Sequence, residues 1–247
     1  MKRIFVLVHF STIILLSCGK AEDRTCLKFN GNLDSLDVPT SNYNELFLGK
    51  RLNYLLVKDS VDYVRIKGGK NLLKSVTLTN SNNVLRIENK NRCDFLRDLG
   101  ALLEVEIHYT NLNRVDGVIS HNLITADTLT GDYFNLSMTG ASGNAKIAVN
   151  TNFINGYAYD GSADYIFYGK TKFAHIQVYS NSFADIRDLQ ISEKLEITTR
   201  SSRAVFCHAN GIPLLVNIES RGNVYYTGIP SSLVINNSGE GKVIKVD

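Results

Sequence analysis

Short alternations of apolar and polar residues run along most of the chain, and clusters of small polar residues separate them. In the second half these clusters recur with steps of 20, 20, 19 and 21 residues when they are aligned at Ser142, Ser162, Ser182, Ser201 and Gly222. A fixed period of this size is typical of repeat proteins, in which each repeat buries apolar side chains against its neighbours. The spacing therefore predicts a stack of similar coils, each coil being one winding of the chain.

Apolar residues flank each cluster at strand spacing. Six and four residues before the aligned positions stand Leu136 and Met138, Gly156 and Ala158, Ile176 and Val178, Leu195 and Ile197, and Val216 and Ile218. Residues two apart in a strand point to one face, so each pair is predicted to face inward. The fold class we predict is all-β: a right-handed parallel β-helix, or solenoid, with an N-terminal β-rich portion.

The alternative is an antiparallel sandwich, whose strands and turns are regularly spaced but rarely hold a constant step. Antiparallel pairing of residues 176–178 with their neighbours would favour the sandwich. A leucine-rich repeat has a similar period, but its Leu-rich consensus with a fixed Asn or Cys is missing here.

The pattern divides the chain into a signal peptide at 1–17, a polar tether at 18–40, an irregular β part at 41–110, and coils of about 20 residues at 111–247. Alternation in the irregular part predicts one helical turn at 71–75 and strands at 43–48, 52–57, 61–66, 76–79, 84–87 and 102–108. The last strands, at 234–235 and 243–244, are expected to close the stack, because an open solenoid edge is free to pair.

The N-terminus has the features of an export signal. Lys2 and Arg3 precede an apolar stretch at 4–16 that is too short to span a bilayer as a helix. Residues 15–18, Leu-Leu-Ser-Cys, resemble a bacterial lipobox, so we expect cleavage before Cys18 and acylation of that residue. Several acyl chains anchor a protein stably, whereas one chain is marginal. An ordinary signal peptide with a chance cysteine is the alternative.

The residues after Cys18 bear on which membrane holds the protein. Gly19 stands where the inner-membrane retention signal of Gram-negative lipoproteins has Asp, and the acidic pair Glu22 and Asp23 resembles a surface-export signal. We therefore expect an outer-membrane lipoprotein of a Gram-negative bacterium, on the periplasmic face or the cell surface. The lipidated Cys18 is expected to attach the protein to this membrane.

Charge and cysteine use agree with export. The chain has 27 basic and 24 acidic residues, and removal of residues 1–17, with two basic and no acidic residues, leaves a net charge of +1. A near-neutral chain lacks the basic footprint of a nucleic-acid-binding protein. Cys26 and Cys93 lie in polar segments and are candidates for a disulfide in an oxidising compartment. Cys207 alternates with Val205 and is predicted to be buried.

The sequence contains no nucleophile elbow, metalloprotease, phosphate-loop or Cys-x-x-Cys motif, so nothing in it indicates a known catalytic chemistry. The histidines show no ligand spacing and are expected on exposed strands or turns: His108, His121, His175 and His208. Parallel β-helices also host carbohydrate-cleaving enzymes with acidic groups on one outer face. Asp164, Asp185 and Asp188 follow neighbouring turns, but Asp164 and Asp185 are out of phase and are expected to point to opposite faces. We predict no catalytic residue, cofactor or metal site.

Aromatic residues gather in the coils: Tyr157, Tyr159, Tyr165, Phe167, Tyr168, Tyr179, Phe183, Tyr225 and Tyr226. Alternation places some of them in the core. Others point outward, where tyrosine rings form amphipathic platforms for sugar or protein partners. The sequence does not determine which tyrosines face outward.

The segment Gly-Asn-Val-Tyr-Tyr-Thr-Gly-Ile-Pro at 222–230 resembles the C-terminal signature of the GIN-domain family, also called the auto-transporter adhesin head family. The resemblance extends over residues 45–247. It implies an exported, non-catalytic β-helical domain tied to adhesion, without established catalytic residues.

Together these features predict a lipid-anchored cell-envelope binding protein with a glycan or protein ligand. A structural component of an envelope assembly and a glycan-degrading β-helix enzyme are the alternatives.

Overall fold

The structure, a computed structural model, describes residues 30–91 and 102–246. Strands account for 65% of these residues. In chain order they are β1 Leu33–Pro39, β2 Glu45–Leu48, β3 Asn53–Lys58, β4 Tyr63–Gly69, β5 Val76–Ser81, β6 Val84–Asn89, β7 Glu104–Tyr109, β8 Arg114–Gly117, β9 Asn122–Thr125, β10 Leu129–Thr139, β11 Asn144–Tyr159, β12 Asp164–Ser180, β13 Phe183–Ile186, β14 Leu189–Ser201, β15 Val205–His208, β16 Pro213–Ile218, β17 Val224–Thr227, β18 Ser232–Asn237 and β19 Val243–Lys245. The short helix α1 spans Lys70–Leu73.

The strands wind into a β-solenoid of about seven turns with three faces. The front face contains β6, β2, β8, the C-terminal halves of β10, β11, β12 and β14, and then β16 and β18, all paired in parallel. The back face contains β7, β3, β9, the N-terminal parts of β11 and β12, and then β13, β15, β17 and β19, also parallel. The side face is formed by residues 129–131, 149–151, 169–171 and 189–191.

The register of the front face reproduces the predicted period. One inward column has steps of 20, 20, 21, 19 and 19 residues and consists of Leu136, Gly156, Ile176, Ile197, Val216 and Ile235. Residues 176–178 pair in parallel with both neighbouring coils, which excludes the antiparallel sandwich. The predicted all-β parallel solenoid is confirmed.

The small-residue turns also stack on one another. The Gly222 amide donates to the Ser201 carbonyl at 2.9 Å, and Ser201 Oγ donates to the Ser182 carbonyl at 2.6 Å. Both serines are fully buried. At Gly161 a Cβ atom would lie 2.1 Å from the Ala141 carbonyl oxygen. The turns therefore need small residues because successive coils approach through their backbones.

The core between the faces is one continuous apolar cluster. Tyr165 and Phe167 project from the back face beneath Gly156, where a Cβ atom would lie 2.7 Å from Phe167 Cε2. Large rings on one face thus fill the space left by the smallest residue on the other. Cys207 is buried as predicted, and burial raises the pKa of its thiol to about 12.

The predicted strands and the helical turn of residues 41–110 all occur, but the boundary at 110 and 111 is wrong. β2 pairs in parallel with β8, and β3 pairs in parallel with β9, so this portion belongs to the same solenoid. The register brings Leu46 beside Val115. Strand neighbours so far apart in sequence produce no short, constant step, which is why the pattern looked irregular.

The predicted tether at 18–40 is wrong over its last residues, because β1 pairs antiparallel with β4. Arg65 holds this strand through two hydrogen bonds to the Asp37 carboxylate, at 2.7 and 2.8 Å. Most of β1 is exposed, so no apolar alternation marks it as a strand. Cys18, Cys26 and Cys93 lie outside the described residues, and the predicted anchor and disulfide stay predictions.

The two ends of the solenoid differ. At the N-terminal end, β5 covers β6 and β4 covers β7, both antiparallel, and α1 buries Leu72 and Leu73. At the C-terminal end, β18 is exposed along its whole length. The expectation that residues 234–235 and 243–244 close the stack is therefore wrong: these strands form the last of the described coils, and no described strand covers β18.

A candidate binding face on the solenoid

Outward side chains on the front face form a column of aromatic rings. Tyr133, Phe153 and Phe173 occupy equivalent positions on three successive coils. They are 50%, 42% and 41% exposed. The strand direction sets this arrangement, since alternate residues of β10, β11 and β12 point away from the core. Each ring stands at the corner where the chain leaves the side face.

Three tyrosines extend this column across the same face. The Tyr157 and Tyr179 rings are nearly parallel with centroids 6.3 Å apart, and the Tyr159 ring meets Tyr179 edge-on at 5.4 Å. The Arg200 guanidinium lies 5.4 Å from the Tyr179 ring centroid and pairs with Glu219 at 2.5 Å. We call the six residues the aromatic face: Tyr133, Phe153, Phe173, Tyr157, Tyr159 and Tyr179.

Neutral polar side chains separate these rings. Asn155 Nδ2 donates to Asn135 Oδ1 at 3.0 Å on the neighbouring coil. Gln177 Nε2 lies 3.0 Å from a ring nitrogen of His175, and the Tyr179 hydroxyl donates to Gln177 Oε1 at 3.0 Å. Burial lowers the pKa of His175, so its imidazole is neutral at pH 7. The area between the rings thus offers amide donors and acceptors without charge.

A shallow groove of about 270 Å³ runs beside the aromatic face, along the corner between the side and front faces. Thr151 and Thr171 form its buried floor, joined by a hydrogen bond of 3.4 Å between their hydroxyls. Polar and basic residues form its walls: Asn150, Asn152, Lys170, Lys172, Gln190 and Ser192. Neither Lys170 nor Lys172 forms an ion pair in the described structure, so both ammonium groups are available to a ligand.

Other aromatic residues have packed positions. Tyr165 and Phe167 are fully buried. On the back face Phe183, Phe206 and Tyr225 stack in a column with centroid distances of 5.8 and 4.9 Å. The guanidinium groups of Arg203 and Arg187 lie 5.2 and 5.0 Å from the Phe183 and Phe206 ring centroids. This column is covered by its own neighbours, unlike Tyr133, Phe153 and Phe173.

The three tyrosines of the aromatic face are among the aromatic residues singled out in the sequence, whereas Tyr133, Phe153 and Phe173 are not. Their spacing carries a signal all the same: each of the three stands nine residues before an aligned serine, at Ser142, Ser162 and Ser182.

Asp164 and Asp185 lie together on the outer side of the back face, so the expectation that they point to opposite faces is wrong. The register pairs Asp164 with Phe183 and Asp185 with Ile166, which places both carboxylates outward in neighbouring columns. Asp164 pairs with Arg203, and Asp185 pairs with Arg187 at 2.6 Å. Burial acts to raise the pKa of Asp185, but the hydrogen bonds and charge of Arg187 outweigh it, so that pKa is lowered. A lowered pKa does not suit the proton donor of glycoside hydrolysis.

The expectation for His108 is also wrong. The residue is only 7% exposed, although we expected an exposed histidine. Its ring stacks on Tyr63 at 3.9 Å, and Nδ1 lies 2.9 Å from an Asp59 carboxylate oxygen. His121, His175 and His208 are at least partly exposed. No group of three or more His, Cys, Asp or Glu side chains in residues 30–91 and 102–246 is arranged to hold a metal ion.

The fold and this surface define a class of protein: a β-solenoid that displays an uncovered aromatic surface on one of its sheets. The model of the family described as "Putative auto-transporter adhesin, head GIN domain" matches residues 42–230. The chain belongs to this family. The family description indicates an extracellular or envelope protein. Among the described residues, no helix is both long and apolar enough to cross a bilayer.

Solved structures share the fold. A putative adhesin from Bacteroides fragilis NCTC 9343 aligns with a TM-score of 0.77 at 16% identity, covering 87% of this chain and 97% of that one. A putative adhesin from Parabacteroides distasonis ATCC 8503 aligns at 0.62 and 20% identity, covering 87% and 98%. A putative lipid binding protein from the same organism aligns at 0.64 and 18% identity, covering 89% and 98%. Among curated proteins, none matches this chain in sequence.

Proposed function

We propose that this chain is a lipid-anchored envelope protein whose aromatic face binds a glycan. The observation that carries the proposal is the column of Tyr133, Phe153 and Phe173, three exposed rings in register on adjacent coils. Single exposed apolar side chains are ordinary, whereas a contiguous uncovered patch marks an interaction site. The adhesin-like family to which the chain belongs supports a binding role.

The geometry of the sheet suits a carbohydrate. Adjacent coils are about 4.8 Å apart, and alternate residues along a strand about 6.7 Å apart, so several rings lie within reach of one oligosaccharide. A sugar ring has an apolar C–H face that stacks on such rings and hydroxyl groups around its edge. The half-buried amides of Asn135 and Asn155 stand between the rings, where they can exchange hydrogen bonds with those hydroxyls. Gln177 is buried and bonded to His175 and Tyr179, so it holds the Tyr179 ring in place.

The groove extends the same surface toward charged substituents. Lys170 and Lys172 lie in its walls and are free of ion pairs with the described residues, next to Phe173 at the edge of the aromatic face. An ammonium group donates hydrogen bonds to a sugar hydroxyl or to a carboxylate. A glycan lying across Phe173 would therefore meet these donors.

The anchor part of the proposal depends on the sequence. Lys2, Arg3, the apolar stretch at 4–16 and the Leu-Leu-Ser-Cys segment support acylation of Cys18. Labelling cells with an alkyne analogue of palmitate should mark the wild-type protein and not the Cys18→Ser variant. Equal labelling of the two proteins would refute the anchor. Digestion of intact cells with protease then distinguishes a surface position from a periplasmic one.

A glycan array with the soluble form, residues 19–247, tests the binding part. For a glycan that binds, Phe153→Ala and Phe173→Ala should each weaken binding about tenfold, as expected for truncation of an aromatic anchor. Phe206→Ala is the matched control, since it removes the same side chain from the covered column on the back face. Circular dichroism checks that all variants are folded.

Two results would contradict the proposal. No binding to any glycan at millimolar concentration would refute a glycan ligand, and binding to host proteins instead would point to a protein ligand. Binding that Phe153→Ala and Phe173→Ala leave unchanged would show that the aromatic face is not the site.

A structural role in an envelope assembly is the second candidate function. The observation that favours it is the open C-terminal edge of the solenoid, where β18 has a paired neighbour on one side only in the described structure.

A further inference from the structure

The last coil exposes side chains that every earlier coil buries. Leu233 and Ile235 of β18 follow Leu214 and Val216 of β16 in the inward columns. Leu214 and Val216 are 1% and 0% exposed, whereas Leu233 and Ile235 are 38% and 46% exposed. In the part of the chain that the structure describes, the apolar interior of the solenoid is therefore open to solvent at this end.

The backbone of the front face is open at the same place. Among the described strands β18 pairs only with β16, so its other edge presents unpaired N–H and C=O groups. The sequence from Ser232 to Asn237 contains no charge, proline or glycine. Natural edge strands usually carry such residues, which block pairing with other strands. An uncharged segment of high β propensity is instead suited to pair.

The back face differs at this end. Lys245 stands two residues after Val243, at an inward position of β19. A charge at such a position opposes strand addition, because pairing would bury it. The open front edge is thus the more suitable one for a contact.

We propose that β18 pairs antiparallel with β18 of a second copy of this chain. A strand edge with unpaired backbone groups is completed by another strand edge. On this face the N-terminal end presents the outer edge of β5, which pairs antiparallel with β6 and whose inward Val76 and Leu78 are already packed against the core. Pairing of β18 with β5 of another copy would therefore cover exposed apolar side chains on one side only and would not close, whereas two β18 edges cover each other. A two-fold axis normal to the front face pairs the free backbone N–H and C=O groups of both β18 strands with each other. The assembly is then closed as a dimer.

The pairing specifies a register. Inward residues must meet inward residues, because a shift of one position would turn the side chains to the other face. A two-fold axis at Val234 places Leu233 beside Ile235 of the partner subunit. Because the axis is normal to the sheet, the two front faces would form one continuous surface facing the same way. If the proposed glycan function also holds, two aromatic faces would then act together on one polymer.

The oligomeric state of residues 19–247 tests the proposal without a ligand. Sedimentation velocity up to about 100 µM detects interfaces of micromolar affinity. We expect a dimer for the wild type and a monomer for Ile235→Lys. The Ile235 side chain is already exposed, so this substitution should not unfold the monomer. Ile244→Lys is the control, since it adds the same charge at an outward position of the back-face edge.

A cysteine at the two-fold axis provides a second measurement. Paired residues across antiparallel strands have Cα atoms about 4.5–5.5 Å apart, within disulfide range. In a Cys26→Ser, Cys93→Ser background, Val234→Cys should yield a disulfide-linked dimer on mild oxidation, and Ile244→Cys should not. A wild type that is monomeric throughout would overturn the proposal. So would a dimer that Ile235→Lys leaves intact, or equal crosslinking of the two cysteine variants. Failure of glycan binding would not affect any of these results.

Discussion

Gly156 is the smallest residue in the inward column of the front face, and adding one methyl group there tests the packing of the core. A Cβ atom at this position would lie 2.7 Å from Phe167 Cε2 and 3.0 Å from Tyr165 Cε2. Favourable carbon–carbon contacts require about 3.5–4.0 Å. Both rings are fully buried, so neither moves aside into solvent. We therefore expect Gly156→Ala to destabilise the protein.

Two effects with opposite signs determine how much Gly156→Ala changes the free energy of unfolding. Overpacking a core costs about 1–3 kcal/mol. Replacing glycine by alanine without a clash stabilises by about 0.4–1 kcal/mol, because the unfolded chain loses freedom. The packing effect is larger, so Gly156→Ala should lower the free energy of unfolding by about 1–2 kcal/mol. At this chain length the melting temperature should fall by about 2–8 °C.

Urea unfolding followed by circular dichroism measures the change. Ser137→Ala, on the outward side of the neighbouring coil, is the control and should stay within about 0.5 kcal/mol of the wild type. In a Phe167→Leu background the ring that meets the new methyl group is gone, so Gly156→Ala should cost about 1 kcal/mol less than in the wild type. An increase in stability on Gly156→Ala would refute the argument. An unchanged cost in the Phe167→Leu background would also refute it.

Two further predictions concern titratable groups. Burial and a thiol pKa of about 12 should protect Cys207 from thiol reagents. A thiol titration should therefore count the same number of reactive thiols in the native wild type and the native Cys207→Ala variant, and one more in the wild type when both are denatured. The lowered pKa of Asp185 means that its charged form stabilises the fold above its unfolded pKa, and that this contribution is lost as pH falls through the folded pKa. Arg187→Gln should therefore lower the free energy of unfolding at pH 7, by less than about 1 kcal/mol because the pair is partly exposed. At pH 3 the same substitution should lower it by a smaller amount than at pH 7. Equal losses at both pH values would contradict this.

The solenoid was predictable from sequence because each coil repeats a local pattern. Pairs such as Ile176 and Val178 recur in every coil, and a constant step leaves few ways to stack them. The pairings at the ends were not predictable. β1 pairs with β4 through backbone bonds and Arg65, and its exposed side chains carry no apolar pattern.

The exposed column was hidden by a change of alternation at a corner. Along β11, Val149 and Thr151 are buried, and strict alternation would bury Phe153 as well. Instead Asn152 and Phe153 are both exposed, and Ile154 begins a new inward series. The corner between the side and front faces inserts this extra outward residue. Strict alternation of inward and outward residues, continued across the corner, therefore predicts that Phe153 points inward. This ring is the one that matters most for the proposed binding.

Two outward aromatic columns have different surroundings, and nearby arginines account for the difference: Tyr133, Phe153 and Phe173 on the front face, and Phe183, Phe206 and Tyr225 on the back face. On the back face, Arg203 covers Phe183 and Arg187 covers Phe206. These contacts remove ring surface from solvent and engage the ring faces. Phe153 on the front face has no cation within reach among the described residues. An outward column of rings is thus a candidate binding surface where the neighbouring columns supply no arginine: among the described residues Arg200 contacts Tyr179, but no arginine contacts Tyr133, Phe153 or Phe173. Applying this criterion requires knowledge of the register between coils, because Arg203 contacts Phe183 from the next coil.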